Sequence, residues 1–123
     1  MTSSYDPDNI FAQILDGRIP SSPVDECENT LSFADIAPQA PSHHLVIPKG
    51  AYPDLTCFAE TASDQELADW VRALARVAKT AGLAENGYRV VVNCGADSHQ
   101  EVPHLHGHVL GGQPLGPILT RRS

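Results

Sequence analysis

Apolar residues recur along the chain with two spacings, one helical and one extended. In NIFAQILDGRIP, Ile10, Phe11, Ile14 and Leu15 share one face of a 3.6-residue period, which predicts a short helix. Asp8 or Asn9 can cap its start, and Gly17 lies near its end. TLSFADI, residues 30–36, alternates as a strand does. The turn-rich APQAPS follows, and HHLVIPK, residues 43–49, then predicts a second strand that Pro48 and Gly50 stop. The longest helix opens with Ser63 and Glu66 in a capping box. Leu67, Trp70, Val71, Leu74, Val77 and Ala78 form its apolar stripe, and Gly82 suits its C-terminal end. YRVVVN, residues 88–93, is β-branched and strand-like, and a polar loop, CGADSHQE, leads to a last strand, HLHGHVLGG. The polar residues 1–8 are expected to be flexible, and residues 113–123 to form an extended tail. Strands and helices do not alternate regularly, so the expected class is α+β with an antiparallel sheet in a single domain, 1–123.

Composition narrows the function. The formal net charge of −7 argues against a long nucleic-acid partner, which needs clustered Lys and Arg, but leaves room for a small phosphate ligand held by a few donors. No run of 18 apolar residues is present, so no membrane span is expected. MTSSYDPDN lacks the basic-then-apolar plan of a signal peptide. Cys27, Cys57 and Cys94 form no CxxC pair and are odd in number. They read as reduced thiols, and the chain as cytoplasmic.

The candidate chemistry lies in HLHGHVL. On a strand, His104, His106 and His108 point one way and Leu105, Gly107 and Val109 the other. The outer two α-carbons would lie about 13–14 Å apart, too far for three imidazoles to share one zinc ion easily. A metal reading therefore uses two of the histidines with Glu101, His99 or His43. A structural reading makes them hydrogen-bonded core residues. A catalytic reading uses a neutral imidazole as nucleophile and its neighbours to orient it and bind charge. In that reading the preceding loop, with Asn93, Gly95 and Ser98, supplies donors to an anion.

HLHGHVL resembles the motif of the histidine triad (HIT) superfamily. NIFAQILDGRIP, FADIAPQAPSHHLVIPK and GYRVVVNCGADSHQEVPHLHGHVLGG resemble, in order, the blocks of its Hint branch, the histidine triad nucleotide-binding proteins. GQPLGP resembles the tail of bacterial members, so the likeness runs from about Asn9 to Pro117. The resemblance implies a five-stranded antiparallel sheet with a short N-terminal helix and one long helix. It also implies a homodimer whose sheets join across the interface, with Trp70 and Leu74 at that interface; intrachain core is the competing role for this pair.

The implied ligands are purine nucleoside monophosphates and phosphoramidates, with no cofactor and no metal. Ile10, Phe11, Ile14, Phe33 and Ile36 match the base pocket, and Asp35 the carboxylate that accepts the ribose hydroxyls. Asn93, His99, Gln100 and Glu101 match the phosphate-contacting region. His106 matches the nucleophile, His108 a phosphate ligand, His104 the residue that orients the nucleophile, and His43 a histidine behind the triad. The implied activity is hydrolysis of the P–N bond of adenosine or guanosine 5′-phosphoramidates. The alternatives are a dinucleoside polyphosphate hydrolase and a nucleotide-binding regulatory module. Three features depart from the pattern. Gly107 occupies a usually hydrophobic position, and since it faces away from the imidazoles it bears on packing rather than chemistry. Glu101 stands where animal members have Ser, and TRRS differs from animal tails.

Overall fold

HHLVIP is apolar on both faces, and the fold uses it as the central strand. In the computed structural model, which describes residues 5–119, the strands are β1 (Pro23–Glu26), β2 (Thr30–Ala34), β3 (Ser42–Pro48), β4 (Arg89–Val92) and β5 (Gly107–Gly111). They form one sheet in the order β1-β2-β3-β5-β4 with every pairing antiparallel. Three α-helices accompany it: α1 (Ile10–Leu15), α2 (Leu55–Thr61) and α3 (Asp64–Thr80).

The two-residue alternation of the strands assigns each side chain to one of two cores. On one face, Val46, Leu105 and Val109 pack with Trp70, Leu74 and Val77 of α3 and with Phe58 of α2. On the other, Leu31, Phe33, Leu45 and Ile47 pack with Phe11 of α1. Both main helices begin as expected. Asn9, rather than Asp8, caps α1 by accepting from the Ala12 N–H, and Ser63 and Glu66 close the capping box of α3. Gly107 lets α3 lie close, because a Cβ there would stand 2.7 Å from Leu74 Cδ2 and 3.2 Å from the Trp70 ring.

Three expectations change. The short helix α2 was not foreseen, since only Phe58 of its seven residues is buried and the apolar pattern is correspondingly weak. Strand β1 was not foreseen either; it is a bulged edge strand of mostly exposed residues. Strand pairing in the histidine segment starts only at Gly107, so His104 and His106 precede the ladder. The inside–outside alternation nonetheless extends back through Leu105, which is fully buried with Val109 against α3. All three cysteines are free thiols, and no helix of the described residues is long and apolar enough to cross a membrane. The TRRS tail falls outside the described residues.

Trp70 and Leu74 belong to the chain's own core. Trp70 is 5% exposed, and its indole N–H donates to the Val46 carbonyl at 3.1 Å. Trp70→Ala should therefore destabilise the fold by about 3–5 kcal/mol in urea denaturation. A loss below about 1 kcal/mol, the scale of surface substitutions, would contradict the packing described.

Candidate active site

The sheet face opposite α3 is only partly covered, because α1 has six residues where α3 has seventeen. The uncovered part is a pocket of about 880 Å³. Ile10, Phe11, Ile14, Phe33 and Ile36 line its apolar side, and Asp35, Asn93, His99, Glu101, His106 and His108 its polar side. Ile36 lines the pocket while remaining 94% exposed. The loop after α1 also contributes Ile19, Pro20, Ser21 and Ser22; the two serines carry no pattern that singles them out in the sequence. No Lys or Arg lies among the described residues that line the pocket.

Strand register brings the histidines together. Leu45 of β3 pairs with His108 of β5, and His43 with Leu110, so His43 and His108 are diagonal neighbours on one face. His43 Nε2 lies 2.9 Å from His108 Nδ1 and 3.3 Å from an Asp35 oxygen. The ring centroids of His106 and His108 are 5.0 Å apart.

Burial keeps these rings uncharged. Desolvation is the leading cause for all four, lowering His43 and His106 and pushing His104 and His108 down to about 4. The hydrogen bond to the His104 carbonyl and the charges of Asp35 and Glu101 partly oppose the shift of His106.

A neutral imidazole has one N–H and one acceptor nitrogen, so each partner fixes a tautomer. The Pro48 carbonyl can only accept, so His104 Nε2 donates to it at 2.8 Å and Nδ1 is the acceptor. The His104 carbonyl likewise takes the Nδ1–H of His106 at 2.8 Å, which leaves a lone pair on His106 Nε2. The Gln39 N–H donates to His43 Nδ1 at 3.0 Å, so His43 Nε2 carries the proton and His108 Nδ1 accepts it. His108 therefore holds its own proton on Nε2. Two adjacent pocket-lining rings thus present opposite functions, an acceptor on His106 and a donor on His108.

Some expected residues act differently from the sequence reading. His104 does hold His106, but through its main-chain carbonyl and not its ring. His104 and His43 lie behind the pocket, both buried. The Gln100 amide donates to the carbonyls of Pro53 and Val102, and its oxygen accepts from Gly95 N–H, so Gln100 braces the loop from within. The Ser98 hydroxyl donates to the Gly95 carbonyl. The Gly95 and Ser98 donors are therefore engaged inside the loop, leaving Asn93 as the member of that expected trio that lines the pocket. Gly95 has φ +84° and ψ −178°, a conformation confined to glycine. His99 is left-handed at φ +65° and lies 2.9 Å from Glu101 at the pocket mouth.

Among the described residues, Asp35, His43 and His108 offer ligand atoms within 4.8 Å of one another, close enough to share a cation. Only one triad histidine takes part, where the metal reading used two.

Buried neutral histidines make the fold acid-sensitive. His104 and His108 have an ordinary value of 6.5 and folded values of about 4. Between those values the unfolded chain binds more protons, so this stability is complete above pH 6.5 and is lost as the pH falls toward 4. The urea midpoint should fall across that window, and His104→Gln should flatten the fall. A wild-type midpoint that stays level would contradict the burial of uncharged rings.

Comparison with known proteins agrees with this architecture. The HIT domain model matches residues 16–115. The chain is 54% identical over 121 residues to an uncharacterized HIT-like protein of Azospirillum brasilense, covering 98% of this chain and 99% of that protein. It is 38% identical over 116 residues to the purine nucleoside phosphoramidase of Escherichia coli K12, covering 94% and 97% of the two. A HIT family hydrolase from Clostridium thermocellum superposes with a TM-score of 0.81 at 38% identity, over 91% of this chain and 97% of that one. With the family model matching most of its length and relatives this similar along nearly all of it, the chain belongs to the HIT domain family.

Proposed function

We propose that the protein is a purine nucleoside phosphoramidase, which hydrolyses the P–N bond of adenosine or guanosine 5′-phosphoramidates through a nucleotidyl-His106 intermediate. The observation that carries this reading is the opposed pair of neutral rings, with an acceptor nitrogen on His106 beside a donor nitrogen on His108, both lining the pocket. The named activity of the Escherichia coli relative supports it.

In this reading the purine lies among Ile10, Phe11, Ile14, Phe33 and Ile36, and Asp35 accepts the ribose hydroxyls. His106 Nε2 attacks the α-phosphorus. The P–N bond breaks, and the leaving nitrogen takes up one proton from water at the open mouth and departs as an amine. His108 Nε2–H and Asn93 donate to the phosphoryl oxygens, while His99 and Glu101 flank the exit. The new P–N bond makes the His106 ring cationic. The His104 carbonyl on its Nδ1–H and the carboxylates of Asp35 and Glu101 stabilise that charge. Water then cleaves the adduct, releases the nucleoside monophosphate and restores the neutral ring. The net reaction consumes one water.

Charge separates this reading from hydrolysis of dinucleoside polyphosphates. With two carboxylates and no Lys or Arg among the described lining residues, the pocket suits a phosphoramidate with one negative charge at phosphorus better than a polyphosphate with several.

His106→Ala should abolish turnover yet still bind AMP, because the base and ribose contacts remain. A rapid-quench experiment with labelled phosphoramidate should trap an acid-labile, base-stable adduct on His106. Mapping the adduct to His104, His108 or Cys94, or full activity in His106→Ala, would overturn the assignment. In thermal-shift assays AMP and GMP at 100 times their Kd should each stabilise the protein by about 2.7 kcal/mol, and CMP at the same concentration should do less. Stabilisation by zinc alone would favour the metal reading.

The homodimer is part of the same proposal. Strand β4 is an edge of the sheet, and Tyr88 just before it and Val90 within it are exposed apolar residues, which an unpaired edge strand leaves available to a second copy. Sedimentation should find a dimer. A fully active monomer would reject that part of the proposal.

A further inference from the structure

Tyr5 lies 99 residues from the triad in sequence and touches it in space. Its hydroxyl is 2.6 Å from His104 Nδ1, and its ring meets the His104 ring edge-on at 5.6 Å. The direction of that hydrogen bond is determined. His104 Nε2 gives its proton to the Pro48 carbonyl, so in the neutral ring Nδ1 is an acceptor and Tyr5 donates. Burial raises Tyr5 above its ordinary phenol value, which keeps that proton in place.

His104 is fully buried and is thus clamped at both nitrogens. The same residue's carbonyl holds His106 Nδ1–H, so a clamp on the ring fixes the main chain that orients the next ring. Phe11 completes the wall, edge-on to both His104 and His106 at 6.2 and 5.0 Å. Without the Tyr5 hydroxyl, Nδ1 of a fully buried ring loses the donor that satisfies it, and the ring gains a reason to turn toward water.

We propose that Tyr5 is a positioning residue for the triad, acting through the His104 ring and carbonyl to hold His106 in its attacking tautomer and orientation. This rests on His106 being the nucleophile of the phosphoramidase reading. It also gives the segment before α1 a role in turnover that its polar composition does not suggest.

The test is Tyr5→Phe, which keeps the edge contact and removes the donor. The kcat for a purine phosphoramidate should fall by about three- to tenfold, the equivalent of one ordinary hydrogen bond, with KM little changed. In nitrogen-15 spectra of the free protein, His104 Nδ1 should move toward the position of an unbonded acceptor nitrogen. Asp8→Ala serves as the control. Asp8 is in the same segment as Tyr5, and the substitution breaks its 2.8 Å pair with Arg18, beyond α1, without touching His104, so kcat and the Nδ1 signal should be unchanged. A kcat loss without the Nδ1 shift, an Nδ1 shift with wild-type kcat, or an equal loss in Asp8→Ala would each overturn the proposal. The nitrogen signals are read without substrate, so wild-type inactivity (failure of the phosphoramidase reading) and an unmoved Nδ1 (failure of the Tyr5 contact) are separate results.

Discussion

A neutral imidazole carries one proton on two nitrogens, and here groups outside the rings decide which nitrogen has it. Two main-chain carbonyls, of Pro48 and His104, and one main-chain N–H, of Gln39, fix the tautomers of His104, His106 and His43; His43 then fixes His108. None of these main-chain partners can reverse its role, because a carbonyl has no proton to give and an amide N–H no lone pair to offer. The arrangement requires the rings to stay uncharged, and burial supplies that condition. The rest of the structure serves both needs. The β3–β5 register sets His43 beside His108, and the end of β3 brings the Pro48 carbonyl to His104.

The unequal helices complete the design. A seventeen-residue helix closes one face of the sheet, and the absence of a side chain at Gly107 lets Trp70 and Leu74 approach the histidine segment from behind. A six-residue helix on the other face buries one residue, Phe11, and leaves the remaining area as a pocket. Rigid packing behind the segment and an open face before it are what a site needs when small errors in ring position cost rate.

What the sequence made legible follows from which interactions are local. Alternation in HLHGHVL placed the imidazoles opposite Leu105, Gly107 and Val109, and the 3.6-residue period found α1 and α3, because side-chain periodicity is a local property. Strand β1 and helix α2 escaped because each buries too little to impress a pattern. The roles of Gln100 and of the His104 carbonyl escaped for another reason. They depend on where the main chain turns, and no residue-type pattern encodes the direction of a carbonyl. Tyr5 and the serines after α1 meet the site only through the tertiary fold. Trp70 and Leu74, expected at an interface by resemblance, are buried against the sheet in the chain's own core, a packing the apolar stripe of α3 already allowed.

The same economy of charge bears on how an acidic protein handles an anion. With a net charge of −7 and no Lys or Arg among the described residues lining the pocket, a phosphate finds no permanent cation to pair with there. Neutral N–H donors bind it more weakly, but they stay aligned and need no counter-charge to be removed before reaction. In the proposed cycle, positive charge appears on His106 only when the nucleotidyl bond forms, where Asp35 and Glu101 already favour it. A permanently cationic site would hold substrate and product monophosphate alike. A site whose charge appears with the intermediate favours the reacting state over both, and favouring the reacting state alone is what raises a rate.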